Sequence, residues 1–260
     1  VIEGEATRPF FWGSNQGHVM GAYFQYSKGN GPYVASRGRA NPAEILMHRS
    51  ALQPHPDLQA IIDKCLASMT QTGGTNPGKA TREYMTLHAR VEPDMQRHPM
   101  CIDSKVYNLT QIIGFLEAKF LDPPAPALFL PINRKLLESE GHPDKENPEK
   151  TNWIAVENLQ VLNHVLKNGL WNGRVKVFEF GSESLKGTKY EDKPLIAGAM
   201  LDYFLALNAK IFIGTRVSSF SHALMAHRFY QGQMENFEYL PDGLHMWTEG
   251  DMRKPPAFFC

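Results

Sequence analysis

The chain has 260 residues, 42% of them apolar, which is enough for one large core or two small ones. Lysine plus arginine equals aspartate plus glutamate at 27 each, so no electrostatic case arises for nucleic acid or an anionic membrane surface. No run approaches the length of a membrane-spanning helix, no signal peptide is legible, and the chain opens on Val1 rather than Met, so further sequence upstream is expected.

Residues 1–56 have dispersed apolar positions and frequent Gly, Pro and Asn, and predict irregular structure with one short strand at Tyr33-Val34-Ala35. Gly13-Ser14-Asn15-Gln16-Gly17 reads as a surface loop, with a loop that holds a ligand through its backbone amides as the alternative. From Asp57 the pattern changes: Leu58, Ile61, Ile62, Cys65, Leu66 and Met69 recur at helical spacing, with Pro56 just ahead. Thr70 to Gly78, rich in Gly and Thr, then marks a boundary or hinge. The chain after it alternates. Strands are predicted at Tyr84–Val91, Ala127–Leu130, Val175–Phe180 and Ile211–Ile213. Helices are predicted over 107–120, around Ile154–Val165, over 194–208, and after Ser219, and a charged, Pro-containing loop spans 138–150. Such alternation implies crossover connections and a mostly parallel, Rossmann-like α/β sheet. Two units are expected: 1–79, a small amino-terminal portion with a linking helix, and 80–260, a Rossmann-like domain.

Cys65, Cys101 and Cys260 do not form a metal-spaced cluster, so one disulfide with a spare thiol and three free thiols both stay open, and no metal site is expected. Asn108-Leu109-Thr110 is a glycosylation sequon, usable only in the secretory pathway.

Two stretches carry the chemistry. The apolar run Lys210-Ile211-Phe212-Ile213-Gly214 is followed by a polar turn and by Ser218-Ser219-Phe220-Ser221-His222-Ala223. A serine at a helix start can cap it, and the unpaired amides there can equally bind phosphate. The first strand leads into His88-Ala89-Arg90-Val91-Glu92-Pro93-Asp94-Met95. A buried parallel strand tolerates charge badly, so Arg90 should emerge at the carboxyl edge, where Ser218 and Ser219 lie. A guanidinium there can grip two phosphate oxygens, with His88 donating a further bond. The alternative is an Arg90–Glu92 or Arg90–Asp94 ion pair with His88 a satisfied core histidine.

Tyr84 through Met95, followed by Cys101, resembles the plant-type branch of the protein O-fucosyltransferase family, which carries a His-Leu-Arg-aromatic-Glu-x-Asp-Met stretch with a cysteine a few residues on. Ala51 to Met69 is similar to the segment preceding that strand in the family. Met200 through Gly214 and the Ser218-Ser219-Phe220-Ser221 turn resemble its other hallmark, an aspartate on a helix, an apolar strand and a Ser-Ser-Phe-Ser/Thr turn. The motifs keep the family's order over roughly residues 50–230. Ala89 replaces the usual leucine, and the serine turn looks closer to the animal enzymes.

The resemblance implies the carboxyl-terminal half of a GT-B glycosyltransferase and inverting, metal-independent transfer of fucose from GDP-fucose to a hydroxyl of a protein or glycan. It implies no cofactor beyond that nucleotide-sugar co-substrate. Plant-type relatives that use UDP-rhamnose give a second reading, and a non-catalytic nucleotide-sugar-binding protein a third. Carried over, Arg90 holds the diphosphate as the catalytic group, and His88 contacts the nucleotide. Asp202 contacts base or ribose, and Ser218, Ser219 and Phe220 line the phosphate side of the cleft. Glu92 and Asp94 orient Arg90 or act as acid or base. The expected location is the lumen of the endoplasmic reticulum or Golgi, with membrane attachment only through a segment absent from this chain.

Overall fold

The computed structural model describes residues 53–70, 83–96, 106–143, 147–215 and 217–248. The strand expected at residues 33–35, the Gly13–Gly17 loop, the hinge after Thr70, Cys101 and Cys260 lie outside these residues. The chain is an α/β protein with a Rossmann-like sheet. Helix α1, Pro56–Thr70, is followed by strand β1, Tyr84–Leu87, a single turn α2, Pro93–Gln96, and helix α3, Leu109–Lys119. Then come β2, Ala127–Phe129, α4, Arg134–Glu140, α5, Trp153–Asn168, and β3, Lys176–Phe178. Helix α6, Pro194–Asn208, β4, Ile211–Gly214, and α7, Ser219–Tyr230, complete the alternation before a hairpin of β5, Asn236–Leu240, and β6, Gly243–Met246.

Local chemistry sets the helix boundaries. Asn108 caps α3 in a reciprocal box, its side chain accepting from Gln111 N while the Gln111 side chain accepts from Asn108 N. Asn133 and Asn152 cap α4 and α5, their side chains accepting from Leu136 N and Ala155 N. Helix α5 ends at Gly169, whose φ of 74° and whose ideal Cβ position 2.4 Å from Val175 O leave room for glycine alone.

Six strands lie in the order β3-β2-β1-β4-β5-β6. The first five run parallel and β6 pairs antiparallel with β5. Alternate residues feed opposite faces, as the period of a strand requires. Met85, Leu87, Leu128, Val177, Ile211 and Ile213 pack under α3 and α5. Tyr84, Phe129 and Phe212 pack under α1, α6 and α7, through Leu58, Ile62, Leu201, Phe204, Leu205 and Leu224. The linking helix α1 therefore shares a core with the sheet. At about 25 cal/mol per Å² of buried apolar surface, two such layers supply the main driving force for folding.

Several expectations need correction. Strand β1 stops at Leu87, because β2 ends at Phe129 and the chain after His88 folds into a tight turn closed by Val91 N to Ala89 O at 3.0 Å. Arg90 is thus on a loop beyond the edge rather than at the end of a strand. The strand expected over 175–180 is only Lys176–Phe178. Helix α4 occupies the start of the supposed loop over 138–150, and the β5–β6 hairpin extends the sheet past residue 232.

Candidate functional site

From β1 the chain winds outward to β2 and β3, and from β4 it winds the other way to β5, so the winding reverses between β1 and β4. Loops that leave adjacent strands on opposite faces diverge there, and ligands of open α/β sheets gather in the resulting crevice at the carboxyl edge. Leu87 pairs with Ile213, so His88–Asp94 and Thr215–Ser218 leave that edge side by side.

Among the described residues, a side-chain hydrogen bond joins the first of these loops to the first turn of α7. His88 Nδ1 lies 2.6 Å from Ser221 Oγ, with both residues buried. Gly214 makes the approach possible, because a Cβ at that position would stand 2.5 Å from Ser221 Oγ and 2.8 Å from its Cβ. The His88 ring also packs on Phe220 at 4.7 Å between centroids, and Phe220 meets Tyr203 edge-on at 5.9 Å. Burial, and then the charge of Arg90, lower the pKa of His88 to about 3, so the imidazole is neutral at physiological pH. Ser218 caps α7 by accepting from Ser221 N, and Ser219 is exposed in the first turn.

Arg90 sits between two carboxylates. Its guanidinium donates to Glu92 Oε2 at 2.6 Å and to both Asp94 oxygens at 3.0 and 2.6 Å. Burial alone would weaken its hold on the proton, but the charges of Glu92 and Asp94 outweigh this and hold its pKa above the ordinary value. The ion-pair arrangement, one of the two readings open from sequence, is the one present, and Arg90 makes no hydrogen bond to Ser218 or Ser219 among the described residues. The two carboxylates differ in kind. The Glu92 side chain is 4% exposed and also accepts from Asn133 N at 3.1 Å, so it is built in. The Asp94 side chain is 46% exposed, which puts its pair in the class worth under about 1 kcal/mol.

The loop carrying Arg90 is anchored at both ends. Arg90 N donates to the Tyr239 hydroxyl of β5 at 3.1 Å, and Val91 O accepts from the fully buried Asn158 at 3.2 Å. Asn158 Oδ1 in turn accepts from Leu109 N at 2.7 Å, tying this loop to the start of α3. Further along the rim, Arg134 donates to Glu179 at 2.9 Å, joining the ends of β2 and β3.

Asp202 projects from α6 with a buried Oδ1 that has no partner among the described residues. Burial, then the charges of Glu179 and Glu92, push its pKa up to about 7. The carboxyl group can therefore give or take a proton near neutrality. Among the described residues, no three His, Cys, Asp or Glu side chains group so as to hold a metal ion, and no helix is long and apolar enough to cross a membrane.

Of the residues singled out from sequence, His88 and Phe220 are in contact, Ser218 lies one turn from the Ser221 that holds His88, and Arg90, Glu92 and Asp94 form one cluster. Sequence reasoning passed over Ser221, Tyr239 and Asn158 as functional supports. It also passed over Arg228, a fully buried guanidinium at the other end of α7. Only the Ser221 position had a visible signal, since it closes the Ser-Ser-Phe-Ser turn. The chain matches no family model, and no curated protein is similar to it in sequence.

Proposed function

We propose that the chain is the donor-binding part of a glycosyltransferase that takes its sugar from a nucleotide diphosphate. GDP-fucose is the first choice of donor, and a hydroxyl of a protein or glycan is the acceptor. The observation that carries this reading is the bond from His88, on the loop after β1 that also carries Arg90, to Ser221 in the capped first turn of α7, at the reversal of the sheet. The O-fucosyltransferase resemblance supplies the sugar and the expectation of a GT-B partner domain.

The chemistry follows from charge. The acceptor oxygen bonds to the anomeric carbon as the bond to the diphosphate breaks, and the electron pair leaves with the diphosphate. Arg90 and the free amides of the first turn of α7 take up that charge in a fixed polar environment. Asp94, half exposed and held by Arg90 alone among the described residues, gives way to a phosphate oxygen, whereas Glu92 stays as the guanidinium's brace. The released Asp94 is then the carboxylate free to accept the acceptor's proton. Asp202 on α6 keeps the role that the resemblance gives it, a contact with the base or ribose of the donor.

Two alternatives share the fold: UDP-rhamnose as donor, and a nucleotide-sugar-binding protein without turnover. A lumenal location goes with the family. The sequon gives it little help, because Asn108 caps α3 and its amide donates to Glu157 at 3.0 Å, a contact that a glycan would displace. The deciding experiment incubates the full chain with GDP-fucose and, separately, with UDP-rhamnose, and follows binding and release of free nucleotide. Release from one donor assigns the enzyme and its sugar. Tight binding without release, in the presence of candidate acceptors, assigns the binding protein. Binding of neither overturns the proposal.

A further inference from the structure

Ser221 is buried at 0% exposure, and a hydroxyl there has to place its hydrogen on an acceptor. Among the described residues its oxygen has one side-chain partner, His88 Nδ1 at 2.6 Å. The backbone N–H of Ser221 is already directed to Ser218 Oγ. If Nδ1 carried the imidazole proton, it would donate to Ser221 Oγ and leave the serine hydrogen without an acceptor. If the serine donates, Nδ1 accepts and both groups are satisfied. The imidazole proton then sits on Nε2, which has no partner among the described residues, on a residue that keeps 8% of its surface accessible. Gly214 and the Phe220 ring fix the geometry on either side of the pair.

We infer that Ser221 is a positioning residue: by donating to Nδ1 it holds His88 in the Nε2–H form and presents that N–H, at the mouth between the β1 and β4 loops, as a fixed donor to an anionic oxygen of the ligand. The tautomer follows from the protein alone. The ligand half rests on the donor site proposed above. A fixed donor of this kind needs no reorganisation when the ligand arrives, so its contribution falls on affinity and on stabilising the leaving diphosphate alike.

The test reads the ring nitrogens of His88 by ¹⁵N-correlated NMR in the full chain. The His88 signals are assigned as those missing from His88→Asn, and GDP is the nucleotide probe. Wild type is expected to show the Nε2–H tautomer, with the Nε2 proton shifting when GDP binds. Ser221→Ala is expected to mix the tautomers and weaken GDP binding about tenfold, the usual size for a misdirected hydrogen bond to a charged group. Ser221→Thr, which keeps the hydroxyl, restores both. Circular dichroism checks that each variant folds, and if Ser221→Ala does not, the wild-type tautomer alone decides. An Nδ1–H tautomer in wild type, or a tautomer unchanged in folded Ser221→Ala, overturns the inference. Equal GDP affinity in wild type and a tautomer-mixed Ser221→Ala overturns the positioning role. Failure of wild type to bind GDP or UDP, with the Nε2–H form intact, instead overturns the donor-site reading and upholds the serine's control of the ring.

Discussion

Helix α7 runs from the carboxyl edge of the sheet to the amino edge, and an arginine matters at each end, held in opposite ways. Arg228, at the far end, is fully buried and donates to a set of neutral oxygens: Asn236 Oδ1 at 2.7 Å and the carbonyls of Ala206, Leu207, Ala209 and Lys210 at 2.6–3.2 Å. Ala206, Leu207 and Ala209 lie at the end of α6 and Lys210 leads from it into β4, so the guanidinium helps close α6 and ties α7 to β5 and to the start of β4. Arg90, near the other end, is held by carboxylates, one of them half exposed. An arginine bonded to a helix end has nothing to exchange for. An arginine bonded to an exposed carboxylate can trade it for another anion. The first arrangement fixes the fold, and the second suits a site that binds and lets go.

The sharpest way to break that contrast is at Arg228. Arg228→Met is expected to lower unfolding stability by about 3–5 kcal/mol, because several buried carbonyls and the Asn236 side chain lose a charged donor. Thermal melting by circular dichroism measures it, and a loss under about 1 kcal/mol would mean the lock is ornamental. Next in size is Arg90→Lys. It keeps the charge beside Glu92 but loses the two-pronged grip, so donor turnover should fall about a hundredfold while the melting temperature changes little. A large drop in melting temperature with turnover retained would make Arg90 a second structural lock and erase the difference between the two ends. The smallest effect is at Asp94. Asp94→Asn removes the competitor for Arg90, and GDP affinity at low salt should rise about threefold, in keeping with an exposed ion pair. Calorimetry that finds weaker binding instead would show Asp94 to be part of the grip.

What the sequence could show and what it could not divide along a physical line. Strands β1 to β4 and helices α1, α3, α5, α6 and α7 were legible because buried parallel strands are short apolar runs and one-sided helices repeat at 3.6 residues. Strand β5 was not, because Asn236 and Glu238 are buried yet polar and interrupt the apolar signal. The Pro241-Asp242-Gly243 turn between alternating residues was the clue available there. In the site, the cap at Ser218 and the emergence of Arg90 at the carboxyl edge could be read locally. The role of Ser221 could not, since it depends on a histidine 133 positions away. Arg228 reads in sequence as an ordinary cation in a last helical turn, and only the fold reveals what it saturates.

The position of β1 in the middle of the sheet sets a schedule for biosynthesis. One flank is covered by β2, whose last residue is Phe129, but the other waits for β4, which begins at Ile211 and pairs with Met85. At roughly 5–20 residues per second, the ribosome leaves that flank without its partner for about 4–16 seconds. For that interval the nascent chain offers an open, apolar strand edge, the feature that invites pairing with a neighbouring polypeptide. Helper proteins that shield such edges should be needed most between the appearance of Phe129 and that of Gly214.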